Sequence, residues 1–268
     1  MPELPELVVI AEQMQQTLPG KEVASVTIFQ PKCLNRPEED YQRYLPGKRV
    51  LGARPLGKWV ELGFQGGDRL LVNLGMGGEV CYFKKGEEPP EKSKWILTFT
   101  DGTGFFITLW WFGYMHLVRK GETHPMTDTL GPDPLAMAFD AFNKLLEGHR
   151  GSIKPFLLNQ KCIRGIGNFY IQEILFQAGL HPLKEIPCLS KEEKKRLFQA
   201  IRRVLEDSIT LGSSSYELDF FGAKGRYGLD RMAVAYREDG VCPVCGSKTE
   251  KIKTGSTAQF ICIQCQQL

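Results

Sequence analysis

The sequence predicts an α+β protein of more than one domain: a helix and β-sandwich, then a helical segment, then a short cysteine-rich β-hairpin. Three observations carry that expectation. One amphipathic helix is followed by five runs of β-type sequence. The pattern turns helical after Pro134. Four of the eight cysteines crowd into the last 27 residues.

Residues 5–18 (PELVVIAEQMQQTL) put Leu7, Ile10, Ala11 and Met14 on one side of a helix that Pro19-Gly20 ends. The runs EVASVTIF, KRVLGARPLGKWVELGF, RLLVNLGMGGEVCYF, KWILTFT and GFFITLWWFGYMHLV follow, divided by glycine-rich turns, as in a β-sandwich or barrel. They make an N-terminal domain of residues 1–118, and residues 119–134, rich in Gly, Pro and charge, read as a linker. PLAMAFDAFNKLLEG, KPFLLNQ and NFYIQEILFQAG then read as helices, the last capped by Asn168. SKEEKKRLFQAIRRVLEDSITLG reads as a long helix capped by Ser190. Residues 213–228 form a Gly- and Ser-rich loop long enough to carry function. Residues 135–231 thus form a second domain and residues 232–268 a small β-type module.

With 42% hydrophobic and 24% charged residues the composition is that of an ordinary soluble protein. No apolar run reaches membrane-spanning length and no basic-then-apolar start marks secretion, which points to the cytoplasm or the nucleoid. The net charge of +3 is uneven: residues 1–149 carry −3 and residues 150–268 carry +6. A basic C-terminal half suits a nucleic-acid face. Cys33, Cys81, Cys162 and Cys188 are scattered and read as small buried hydrophobes rather than disulfides.

The strongest local signal is Cys242-Pro-Val-Cys245 followed, sixteen residues on, by Cys262-Ile-Gln-Cys265. Two paired thiolate turns match one tetrahedral zinc ion, and a closed four-sulfur site is structural. The segment is too short to hold itself by burial, so the metal supplies its folding energy. Lys251, Lys253 and Thr257 fall near the tip of the resulting hairpin. A second signal is Lys161-Cys-Ile-Arg164-Gly165-Ile-Gly167-Asn168, whose bare backbone lets N–H groups approach a phosphate, with Lys154 and Arg164 nearby. An ordinary helix–helix corner explains it equally well. Gly57-Lys58 is a third, and a lysine there is most simply a solvated strand end.

The first six residues, Met-Pro-Glu-Leu-Pro-Glu, carry the sharpest chemical possibility. Removal of Met1, which the small Pro2 favours, leaves a secondary amine with a pKa near ~7.7–8.0, against ~10.4 for lysine. Such an amine is a nucleophile for a carbonyl-type carbon. Glu3 and Glu6 lie three apart, on one face of any helix starting here, and Pro5 suits its first turn. Taken alone, a stiff and frayed terminus is the simpler reading.

Taken together, the opening PELPE, Lys58 in LGKW, NLGMGG, LGPDPL, the stretch KPFLLNQKCIRGIGNFYIQEILFQAGLHP and the four-cysteine module resemble the formamidopyrimidine-DNA glycosylase and endonuclease VIII family. The resemblance runs in order along the whole chain. The ELPE start and Met76 favour the formamidopyrimidine branch. It implies an N-terminal helix and β-sandwich, a helix–two-turn–helix domain with a zinc-ribbon-like hairpin, and double-stranded damaged DNA in the cleft between. It also implies a base-excision-repair glycosylase with AP lyase activity, acting on 8-oxoguanine and formamidopyrimidines. The protein is expected to be a bacterial monomer with one structural zinc, no small-molecule cofactor and no membrane partner. By motif, Pro2 becomes the nucleophile, Glu3 its acid/base partner, Glu6 a supporting group and Lys58 a phosphate contact. Lys154 and Asn168 match contacts to the lesion phosphate, and residues 213–228 match a loop over the everted base. Oxidised pyrimidines, bulky lesions, or damage binding without catalysis are the alternatives.

Three departures lie on the DNA side. Asn73 stands where the family has histidine, an amide able to bond to a phosphate or to a neighbour. Trp110-Trp111-Phe112 replaces an Arg-Arg-Phe wedge, exchanging hydrogen-bond donors for stacking faces. Core strand positions for one or both tryptophans are an equal alternative. Thr257 replaces the hairpin's phosphate-binding arginine.

Overall fold

The computed structural model describes every residue except Ser256. The chain divides into two compact units, Met1–Asp128 with Leu211–Arg226, and Thr129–Thr210 with Tyr227–Leu268.

The first unit opens with helix α1 (Leu4–Thr17), whose buried side, Leu7, Ile10, Ala11 and Met14, joins the core at the expected positions. Eight strands follow: β1 (Val23–Ile28), β2 (Val50–Leu56), β3 (Trp59–Phe64), β4 (Arg69–Asn73), β5 (Glu79–Phe83), β6 (Trp95–Phe99), β7 (Gly104–Thr108) and β8 (Tyr114–Val118). They pair antiparallel into two four-stranded sheets, ordered β1-β6-β7-β5 and β2-β3-β4-β8. One core takes Val26, Trp95, Leu97 and Phe105 from the first sheet and Val60, Leu62, Leu70, Val72 and Met115 from the second. That is the expected β-sandwich, each sheet burying one face against the other. The short helix α2 (Glu38–Tyr44) has no counterpart in the sequence reading. Only Tyr41 is buried in it, its hydroxyl donating to Met115 O at 2.5 Å, so periodicity offered nothing to detect.

The second unit holds α3 (Phe139–Leu146), α4 (Ile153–Leu158), α5 (Tyr170–Ala178), α6 (Lys191–Thr210) and the hairpin β9 (Glu250–Thr254) with β10 (Thr257–Ile261). Ser190 caps α6 as expected, with Ser190 Oγ accepting from Glu193 N–H and Glu193 Oε2 from Ser190 N–H. Helix α5 starts one residue later than expected, with Phe169 rather than Asn168 at the cap position, and ends at Gly179 in the left-handed region. It is buried almost all round and packs along α6. Among the described residues no helix is long and apolar enough to cross a membrane.

Candidate active site

The start of α1 is a buried acidic corner. Pro2 is buried, and Glu3 and Glu6 are only 4% and 3% exposed. They form a reciprocal capping box, in which Glu6 Oε2 accepts from Glu3 N–H at 2.8 Å. The other oxygen of Glu6 accepts from Ser214 N–H at 3.2 Å, on the loop Leu211–Arg226 of the same unit. Both Glu6 oxygens therefore act as acceptors, as an ionised carboxylate does, at a helix end that favours negative charge. The ammonium of Met1 pairs with Glu217 Oε1 at 3.2 Å.

Lys58 sits in the β2–β3 turn, where Gly57 has φ +63°. Asn73, at the end of β4, is buried and faces a neighbour rather than outward. Its Nδ2 donates to Lys58 O at 2.8 Å and its Oδ1 accepts from Gly75 N–H at 3.0 Å. One amide thus ties the Lys58 turn to the turn that carries Met76.

The run GFFITLWWFGYMHLV breaks into β7, a loop and β8, and both tryptophans fall in the loop. Trp110 is 81% and Trp111 65% exposed, with Phe112 and Met76 also open, so neither tryptophan is a core strand residue. Met76 and Trp111 exchange backbone hydrogen bonds of 3.4 and 3.2 Å, clasping the two turns together. The fit is close: a Cβ on Gly75 would lie 1.7 Å from Phe112 O. Behind the clasp, Trp59 stacks on Tyr114 and packs against His116 and His124, whose rings share a 2.8 Å hydrogen bond. Burial holds the His116 pKa down at about 4 and also lowers that of His124, which favours the neutral form of both rings. No residue spacing in the sequence signals this pair.

In the second unit, Lys154 on α4 is 2% exposed and reaches the zinc-type hairpin. Its Nζ donates to Thr254 Oγ1 at 2.6 Å and Thr257 Oγ1 at 3.0 Å. Two expected phosphate contacts, Lys154 and Thr257, are therefore bonded to one another. Desolvation without a carboxylate partner lowers the Lys154 pKa to about 8. Lys251, by contrast, is paired with Glu238. Asn168 is exposed at the end of a turn knitted by Gln160, which accepts from Gly165 N–H and donates to Leu158 O and Ile166 O.

The sulfurs of Cys242, Cys245, Cys262 and Cys265 lie within 4.8 Å of one another, with Cys242–Cys265 at 3.8 Å and Cys245–Cys262 at 3.4 Å. Tetrahedral zinc with Zn–S near ~2.3 Å sets sulfurs about 3.8 Å apart. The four thiols can hold one zinc ion, and their closed set leaves no position for substrate. Cys242 and Cys262 also pack on Phe176 of α5 and Val234, which seats the hairpin on the helices.

A sandwich headed by a buried proline and carboxylate pair, with a helical unit bearing a four-cysteine hairpin, is the arrangement expected of one class of DNA glycosylases. Residues 1–108 match the family model for the formamidopyrimidine-DNA glycosylase N-terminal domain, and residues 130–219 match that for the formamidopyrimidine-DNA glycosylase H2TH domain. The formamidopyrimidine-DNA glycosylase of Enterococcus faecalis is 32% identical, with 100% of this chain and 98% of that protein covered. That of Gluconobacter oxydans is 33% identical over the full length of both. Among solved structures, Lactococcus lactis Fpg (MutM) in complex with DNA containing N7-benzyl-Fapy-dG superposes with a TM-score of 0.90 at 26% identity, covering 100% of both chains. MutM from Thermus thermophilus gives 0.87 at 30% identity, covering 99% of this chain and 98% of that one. This chain belongs to the formamidopyrimidine-DNA glycosylase family.

Proposed function

We propose that the protein excises oxidised and ring-opened purines, 8-oxoguanine and formamidopyrimidines, from double-stranded DNA and then cleaves the strand as an AP lyase. The observation that carries this reading is the buried Pro2-Glu3-Glu6 corner at the head of α1. A damaged base inside a duplex is out of reach, so its nucleotide must be everted at a few kcal/mol. With Met1 removed, the Pro2 nitrogen forms a bond to C1′ as the bond from C1′ to the base breaks, and the base leaves with a proton. Glu3 delivers a proton to O4′ as the C1′–O4′ bond opens, the amine loses its own proton, and an iminium results. The iminium acidifies the C2′ proton. Its removal expels the 3′ phosphate, and a second elimination expels the 5′ phosphate.

Glu6 holds the corner together from both oxygens, and Lys58 contacts a phosphate beside it. Met76, Trp110, Trp111 and Phe112 meet the bases around the vacated position. Asn73 serves by fixing the turns of Lys58 and Met76. Lys154, Asn168 and Thr257 meet backbone phosphates, and the zinc hairpin holds Thr257 in place. The protein works as a monomer in the bacterial cytoplasm, at the chromosome. Borohydride trapping tests the reading. Duplexes with an abasic site or 8-oxoguanine should give a covalent adduct that Pro2→Gly abolishes, and no adduct on any oxidised-base duplex refutes it.

A further inference from the structure

The loop Leu211–Arg226 is fixed to the first unit at several points, and one of its side chains has no role in the scheme above. Ser214 N–H is held by Glu6, as described. Gln13 of α1 donates to Asp219 Oδ2 and accepts from Phe220 N–H, both at 2.8 Å, and Tyr82 N–H of β5 donates to Phe220 O at 2.8 Å. Asp219 Oδ1 accepts from Phe221 N–H and Ala223 N–H, and Leu218 bridges Lys224, so residues 218–224 form a small closed turn. Glu217 lies between the Ser214 and Asp219 anchors, and this is the carboxylate that meets the first amine of the chain, 3.2 Å from the Met1 nitrogen.

We propose that Glu217 is a positioning residue for the nucleophilic amine, resting on the reading of Pro2 given above. Glu3 and Glu6 are engaged in the capping box, and Glu6 also holds the loop, so their carboxylates are directed along the helix. Glu217 approaches the terminus from the loop instead. Removing Met1 transfers the amine by one residue, about 3.8 Å between Cα atoms. That distance is short for a glutamate side chain whose backbone is held on both sides. The carboxylate orients the amine by accepting its N–H, which leaves the lone pair directed away from Glu217. The same loop is thereby coupled to the nucleophile: a displaced loop releases the amine, and a seated loop aims it.

The test uses full-length, Met1-processed protein, verified by mass spectrometry, as wild type, Glu217→Gln and Glu217→Asp. Three quantities are measured: the single-turnover rate of borohydride trapping on an abasic duplex, the affinity for a duplex with a tetrahydrofuran site, which cannot form the iminium, and the melting temperature. Glu217→Gln should slow trapping at least about tenfold while leaving affinity within twofold, and Glu217→Asp should recover part of the rate. Unchanged trapping in Glu217→Gln overturns the proposal. So does a parallel loss of rate, affinity and melting temperature, which marks a merely structural contact. A wild-type protein that gives no adduct refutes the parent reading, and the role of Glu217 with it.

Discussion

Replacing Lys154 by methionine should make the protein more stable at neutral pH and a poorer DNA binder. The lysine is 2% exposed, it donates to two threonine hydroxyls, and its pKa falls from 10.5 to about 8. At ~1.36 kcal/mol per pKa unit, keeping that ammonium charged costs roughly 3 kcal/mol relative to the unfolded chain. Methionine removes the cost and fills similar space. The threonines keep other bonds, since Thr254 Oγ1 donates to Thr257 O and Thr257 Oγ1 to Thr254 O. Allowing for two lost hydrogen bonds, Lys154→Met should gain about 1–2 kcal/mol at pH 7. The sign of the pH dependence follows from the lowered pKa. Below about pH 8 both states are protonated and the penalty is fully present; between about 8 and 10.5 the unfolded chain holds the extra proton. Wild-type stability should therefore rise through that window relative to Lys154→Met, closing the gap. Urea melts of both proteins at pH 7 and pH 9.5 measure it, alongside affinity for an abasic-site duplex. That affinity should fall about tenfold or more with loss of a charge-assisted phosphate contact. A variant less stable than wild type at pH 7, or a gap that widens with pH, refutes the reasoning.

Three further outcomes bear on recognition and on the metal. Trp111→Ala should weaken binding to a lesion duplex by about 1–3 kcal/mol, the worth of one stacked base, without changing the pH optimum of trapping. Because an indole stacks on any base, wild-type excision rates should vary little with the base opposite the lesion, and a full lesion-by-opposite-base matrix checks this. Cys245→Ser should release the hairpin, raise hydrogen exchange across residues 242–265 and lower DNA affinity; unchanged affinity in metal-free protein would contradict the role given to the hairpin.

Where one element makes its own case, the sequence was enough. Leu7, Ile10, Ala11 and Met14 announced α1, the run KWILTFT announced β6, and Ser190 announced the start of α6. The four cysteines likewise carry their chemistry in their spacing. What stayed hidden depends on contacts between distant residues. The loop Leu211–Arg226 joins the first unit through Glu6–Ser214 and Gln13–Asp219, pairs 208 and 206 positions apart. Helix α2 rests on one tyrosine, and the His116–His124 pair on a sheet edge meeting the segment beyond it. Local pattern also could not place the two tryptophans, because a strand and an exposed loop can share the same apolar composition. The deciding fact is the Met76–Trp111 clasp, which ends β7 at Thr108 and turns both indoles outward.

The three family departures can be weighed by what each side chain touches. Asn73 spends its amide between two turns, and Thr257 spends its hydroxyl on Lys154. Neither therefore replaces, as an outward-facing charge or fork, the group that the resemblance led one to expect. The tryptophans do the opposite, presenting large apolar faces where donors were expected. Losing outward cations lowers the number of phosphates neutralised, and with it the salt dependence of binding, whereas stacking adds affinity that salt hardly screens. On the proposed function, the DNA contacts of this chain are shifted from charge towards stacking, while the Pro2-Glu3-Glu6 corner is kept intact. The substitutions thus fall on the choice of DNA rather than on the chemistry carried out on it.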